Sequence, residues 1–331
     1  MHDHHGHGTV SAPTRSPVLA PWFACDFEHD RVTFRNGDMV AVMAGPAVSR
    51  YVAPVTSLLD GQRSVEEIAK ATGLRVDQVR AVIAKLEDAN LIIDGAGIPR
   101  SSPSFQAGAV AASCWGQLVD IAEATDRLSS SRVSIVGYDA VTRQVAQQLV
   151  DLGVQCSLLN MDATPEDELP DEALSCDLLI VGPSRVHMLA RSVNQLLYEA
   201  KVSWLPVFPF NGRYAQVGPL IVPPDSGCFE CFVLRRQANV SYNPDVYDWI
   251  ERAGVKGPLD FAPVDHASAA TAAFMVQQWL AVRHPEMPGL SYLERAGTWE
   301  REVHHLLRVP RCPVCRVVSE RGIPAAWWST P

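Results

Sequence analysis

What this 331-residue sequence is short of already narrows its function. It has no run of about 18 uninterrupted apolar residues, the length a membrane-spanning helix needs. Its start, Met1-His2-Asp3-His4-His5, lacks the basic-then-apolar layout of a secretory signal, so a cytoplasmic protein with no membrane partner is expected. Positive charge is also scarce. Lys and Arg number 28 against 37 Asp and Glu, a formal charge of −9, which gives no general electrostatic reason to bind nucleic acid. No internal repeat is present. What remains is an ordinary globular composition, 47% hydrophobic and 20% charged, with length for about two domains.

The eight cysteines are unevenly placed. Cys25, Cys114, Cys156 and Cys176 stand alone, whereas Cys228/Cys231 and Cys312/Cys315 form two C-x-x-C pairs. In a reducing compartment such pairs point to metal and not to disulfides. Four thiolates close a tetrahedral zinc shell at about 2.3 Å per bond with no position open to water, so one structural Zn2+ on Cys228, Cys231, Cys312 and Cys315 is expected. A redox pair would leave the second C-x-x-C unexplained.

Residues 1–20, rich in His, Gly, Ser and Pro, read as a disordered tail, in which His2, His4, His5 and His7 could meet a metal only transiently. Residues 21–97 read as a module of three strands and three helices, winged-helix-like in arrangement. The strands are Cys25 to Glu28, then Val32 to Arg35 and Met39 to Met43 joined by the Asn36-Gly37 turn. A helix is expected from Pro46 toward Leu59, kinked at Pro54. A second opens on the capping box Ser64-Val65-Glu66-Glu67 and ends near Gly73, and a third carries Val76, Val79, Ile83 and Leu86 on one face. A Gly/Pro/Ser-rich linker is placed at 98–112. Residues 113–322 then alternate strands (from Val133, Val154, Leu178 and Val202) with helices, the pattern of a doubly wound, mostly parallel α/β sheet.

The turn after the first of those strands, Gly137-Tyr138-Asp139-Ala140, sits where a nucleotide-binding α/β protein keeps its glycines. Backbone amides approach phosphate there, and a negative side chain would repel it. One glycine remains and Asp139 follows it, so a lost nucleotide site is expected, with no cofactor-binding residue. No catalytic set emerges either. The lone cysteines have no neighbouring base, Asp265-His266 is explained by Asp265 as a helix N-cap, His304-His305 lies in an expected strand, and Arg235-Arg236 reads as a solvated helix face.

These residues resemble a known family. Gly218-Pro219-Leu220-Ile221, Gly227-Cys228-Phe229-Glu230-Cys231-Phe232, Arg235-Arg236, and Leu307-Arg308-Val309-Pro310-Arg311-Cys312-Pro313-Val314-Cys315 look like the ThiF-like proteins of thiazole/oxazole-modified peptide biosynthesis. That branch of the ubiquitin-activating-enzyme fold carries the same zinc knuckles. Residues 21–97 resemble the PqqD-like peptide-recognition element fused to those proteins. Active members of the broader fold hold ATP and magnesium with a Gly-rich loop, an acidic residue after the second strand and an Asn/Arg motif. The loop here is altered, and no Asn/Arg motif follows Leu158-Leu159-Asn160-Met161-Asp162. The resemblance therefore implies a non-catalytic partner that binds the leader of a ribosomally made precursor peptide and presents it to a YcaO-type cyclodehydratase, in antibiotic-type biosynthesis. A homodimer is compatible with it.

A peptide role also follows from strand chemistry, because an open sheet edge accepts an extended peptide while a neighbouring helix offers side-chain pockets. The expected groove is Met39, Val40, Ala41, Val42 and Met43 with Arg75, Val76, Val79, Arg80 and Ile83. Two other functions compete. One is an ATP-dependent activating enzyme on the same fold. The other is a winged-helix regulator, which the charge of residues 20–97 opposes: eight basic against eleven acidic side chains, or −3.

Overall fold

A computed structural model describes residues 16–37, 39–95, 97–114, 119–159, 169–184, 186–239 and 261–316. The His2 to His7 cluster and the Asn160 to Asp162 segment lie outside them. Contacts divide the chain into two compact units, Met1–Asp126 and Arg127–Pro331.

In the first unit, β1 (Pro17–Leu19) is followed by β2 (Ala24–Glu28), β3 (Arg31–Asn36) and β4 (Met39–Ala44), and the last three form an antiparallel sheet in the order β2-β3-β4. Gly37 takes φ +53°, the positive value the tight turn demands. The sheet buries Val32 and Phe34 of its central strand against helical residues Ile68, Val79, Ile83 and Leu86. The helix expected from Pro46 is a π-helical turn (Val48–Val52) leading into α1 (Ala53–Thr56). Pro54 explains it. The proline has no N–H, and its ring would strike the carbonyl four residues back; in the wider turn Ala53 N–H reaches Val48 O, which makes room. Helix α2 (Val65–Thr72) has its capping box formed. Glu67 N–H donates to Ser64 Oγ at 3.2 Å, Ser64 N–H to Glu67 Oε2 at 2.8 Å, and Gly73 closes the helix in the left-handed region. Helix α3 (Val76–Asp88) leads to β5 (Ile92–Asp94), which pairs antiparallel with β1.

Two boundaries differ from expectation. Pro17–Leu19, assigned to the tail, is a strand with Val18 and Leu19 buried; three residues are too few to show a period. Residues expected as linker begin α4 (Pro103–Cys114), and the first unit runs on into α5 (Ile121–Ser130). Helix α4 is rich in small apolar residues and apolar almost all round, so it shows no amphipathic stripe to betray a helix. Gly108 fits there because a Cβ would lie 2.7 Å from Thr125 Oγ1 of α5.

The second unit holds β6 (Arg132–Val136), α6 (Ala140–Asp151), β7 (Gln155–Leu159), β8 (Leu178–Val181), α7 (Val186–Ser192), α8 (Asn194–Glu199) and β9 (Ser203–Pro206). Its four strands are parallel in the order β7-β6-β8-β9. The inner strand β8 is buried at every position, as a parallel strand covered on both faces must be. An antiparallel sheet, β10 (Tyr214–Val217), β11 (Leu290–Arg295) and β12 (Arg301–His305), joins it through bridges Trp204 to Ile221 and Val207 to Val217. Helix α9 (Phe229–Ala238) carries the first cysteine pair. Helix α10 (Ala262–Val282) packs on α6. Asp265, expected as its N-cap, sits one turn inside, because Phe261 holds the cap position. No described helix is long and apolar enough to cross a membrane.

Candidate functional site

The four cysteines converge. Their sulfurs all lie within 4.8 Å of one another, with Cys228 Sγ 3.5 Å from Cys312 Sγ and Cys231 Sγ 3.3 Å from Cys315 Sγ. All four are buried. A tetrahedral ion at about 2.3 Å from each ligand sets sulfurs roughly 3.8 Å apart, so the cluster fits a single ion. Cys228 is the N-cap of α9 and Cys231 lies in its first turn. The second pair is brought in by the chain leaving β12, where Leu306 N–H donates to Gly289 O and Cys312 N–H to Val309 O. Gly227 is required by close approach: a Cβ there would meet Leu306 Cγ at 3.1 Å and Cys231 Cβ at 3.3 Å.

Side chains lace the two knuckles together. Arg235, expected on a solvated face, donates through Nε to Leu307 O at 2.6 Å and through Nη2 to Arg308 O at 3.3 Å. Arg308 returns to the first knuckle by donating to the carbonyls of Pro224 and Ser226. Asn194 Oδ1 accepts from Phe229 N–H at 2.9 Å, which satisfies one orphan amide of α9, and Arg191 grips the nearly buried Glu230 in bidentate fashion at 3.0 and 3.1 Å. Without a cation two of the thiols, Cys228 and Cys315, resist ionisation. The hydrogen bond shared with Cys231, together with burial, pushes Cys228 upward, and burial pushes Cys315 up to about 11. A divalent cation reverses that preference, because the thiolate is the ligand form.

At the turn after β6, Asp139 ties the loop to the start of α6. Its Oδ1 accepts from Thr142 N–H at 2.8 Å as the N-cap of α6, and its Oδ2 accepts from Ser184 N–H at 3.0 Å. The helix N-terminus is thus answered by the chain's own carboxylate. Gly137 (φ +143°) is pressed against Thr142, where a Cβ would sit 2.7 Å from Cγ2. The adjoining cleft, lined by Asp139, Val141, Phe208, Phe210 and Asp265 among others, encloses about 10 Å³, room for about one water.

The expected peptide groove is only partly on the surface. Met39, Val40 and Val42 are 62%, 59% and 52% exposed, an unusual apolar display for an edge strand, while Ala41 and Met43 turn toward the core. Helix α3 does not supply the expected pockets. Val79 (0% exposed) and Ile83 (4%) belong to the core, and Val76 packs against it. The same i, i+4 face that looked like a groove wall is the face that closes the module. Each basic side chain of the expected rim has an acidic neighbour, Arg75 with Asp77 at 2.7 Å and Arg80 with Glu66 at 3.1 Å, both pairs exposed.

Backbone direction identifies what β4 offers. Glu28 faces Arg31 and Asn36 faces Met39, so each hairpin closes on a two-residue loop whose flanking pair exchanges hydrogen bonds, and the pairs alternate from there. Met39, Ala41 and Met43 therefore bond to β3, whereas the N–H and C=O groups of Val40 and Val42 point to the open edge.

No protein-family model matches the chain, and no curated protein does. Solved structures do. The heterocyclase TruD is 18% identical with a TM-score of 0.65, over 91% of this chain and 43% of that one. A heterocyclase in complex with substrate and cofactor is 17% identical with a TM-score of 0.63, over 92% and 40%. E. coli MccB with AMPCPP and MccA is 16% identical with a TM-score of 0.55, over 90% and 99%. At these identities the likeness is one of fold, and the chain spans about two fifths of the heterocyclases' length.

Proposed function

We propose that this chain is a ThiF-like leader-peptide-binding partner with a PqqD-like, winged-helix recognition module, working in the making of ribosomally synthesised modified peptides. It takes the leader of a precursor peptide as an added strand on β4 and presents the peptide to a separate YcaO-type cyclodehydratase. Zn2+ on Cys228, Cys231, Cys312 and Cys315 is structural. The carrying observation is the β4 edge, where Val40 and Val42 present both open backbone groups and exposed apolar side chains, the surface that strand addition uses. Fold likeness to a heterocyclase seen with its substrate, and to MccB seen with MccA, supports a peptide ligand.

The test is fluorescence polarisation with a labelled leader peptide of the neighbouring precursor gene. Val42→Pro removes one open-edge donor and leaves every bond to β3, a place where an edge strand tolerates proline. It should weaken leader binding about ten-fold or more with an unchanged circular dichroism spectrum. Arg80→Ala should change affinity by less than about three-fold, since its exposed pair with Glu66 is worth about 0–1 kcal/mol. Full binding by folded Val42→Pro protein would remove β4 as the site.

A second reading, an ATP-dependent activating enzyme, draws on the match to MccB, which spans 99% of that chain and was solved with AMPCPP. The Asp139 cap argues against it. Calorimetry of the purified chain with ATP and magnesium should show no micromolar binding; such binding would favour the activating enzyme.

A further inference from the structure

Among the described residues the sheet of the first unit has a second edge with no strand paired to it, and it borders a cavity. By the same alternation, the N–H and C=O groups of Cys25 and Phe27 on β2 point away from β3. Their side chains share the face of Val32 and Phe34, yet Phe27 remains half exposed. Both line a cavity of about 610 Å³, within the range of ligand sites. Its other walls come from Leu19, the end of α1, Asp60 and Arg100 with Gln106.

Two features of the wall point to an occupant. Thr56 belongs to the wall, and its buried hydroxyl has no hydrogen-bond partner among the described residues, so the wall holds an unsatisfied polar group just behind the cavity surface. The charges do not balance. Asp60 already accepts from Gln62 N–H, Arg63 N–H and the Arg63 guanidinium, whereas Arg100 donates to the neutral carbonyls of Ala20 and Phe23. Among the described residues, Arg100 is the charge on this wall with no acidic side chain bonded to it.

We infer that β2 is a second strand-addition site, which takes an extended peptide segment and receives a carboxylate side chain of that segment in the Arg100 cavity. A residue paired opposite Cys25 or Phe27 shares their face, so its side chain enters the cavity. The one before or after it points away. Backbone pairing gives the affinity, and the Arg100 charge selects acidic over basic side chains. This site stands apart from β4 and does not depend on the leader reading.

Hydrogen exchange of the full chain tests it, with two capped pentapeptides as probes, Ac-Val-Glu-Val-Glu-Val-amide and its Lys counterpart. The Glu peptide should slow exchange of residues 24–28, and the Lys peptide should need about ten-fold more to do the same. Arg100→Gln should erase that difference. Gln106→Glu, which keeps the Arg100 side chain but exchanges the Gln106 hydrogen bond to the Arg100 carbonyl for a negative charge on the wall, should weaken the Glu peptide and keeps the test decisive if Arg100→Gln unfolds. Val42→Pro should leave the effect intact. Protection confined to residues 39–44, no protection at 24–28, or equal action of the two peptides would overturn the inference.

Discussion

Cys231→Ser is expected to abolish metal binding and to unfold the second unit, the largest single effect anticipated anywhere in this chain. Elemental analysis of protein purified without chelator should give one zinc per chain, and the variant should give none. Structural zinc in small peptides carries roughly 10–16 kcal/mol of apparent binding energy near neutral pH, whereas a whole domain is stable by about 5–15 kcal/mol. The ligands here are paired across 84 positions of sequence, so the ion also closes a long loop. Losing one thiolate would leave three buried thiols around a partly empty cluster and would slacken the contacts through which Arg235 and Arg308 hold the knuckles. Thermal unfolding should show the loss directly. Cobalt replacing zinc should give the visible absorption of a tetrahedral thiolate site. Protein free of zinc, or a Cys231→Ser variant as stable as the parent, would remove the metal from the architecture.

The four-cysteine cluster was the most legible feature of the sequence because ligand chemistry depends on residue type and spacing, and both can be read along the chain. The capping box at Ser64 and Glu67 and the turn at Gly37 were legible for the same reason: each is a local device whose partners lie within three residues. What stayed hidden depends on partners far away. Strand β1 exists because β5 lies beside it, and α4 carries no amphipathic stripe to announce it. The pairing of Arg235 with Leu307 joins residues 72 apart. The turn at Gly137 was half legible. Asp139 marked the turn as an acidic one, but not that its carboxylate caps α6 by accepting from Thr142 and also accepts from Ser184, 45 residues away.

The helix side of the expected groove leads to the second large effect. Periodicity shows that Val76, Val79, Ile83 and Leu86 share a face, but it is silent on whether that face meets a ligand or the protein itself. Burial decides for the core. Val79→Glu should therefore unfold the first unit and not merely block a peptide. The substitution deletes a packed side chain at a site with 0% exposure and places a carboxyl among Phe34, Ile68 and Leu86, at a cost of at least about 4 kcal/mol. Circular dichroism and thermal unfolding should show the loss, and hydrogen exchange should show β2, β3 and β4 opening together. Val42→Pro, on the exposed edge strand of the sheet that α3 packs against, should keep the unit folded and lose the leader. The contrast between the two variants separates a residue that builds the module from one that presents it. A folded Val79→Glu protein that fails to bind leader would mean that α3 turns this face to the peptide, and would restore the groove as the sequence first suggested it.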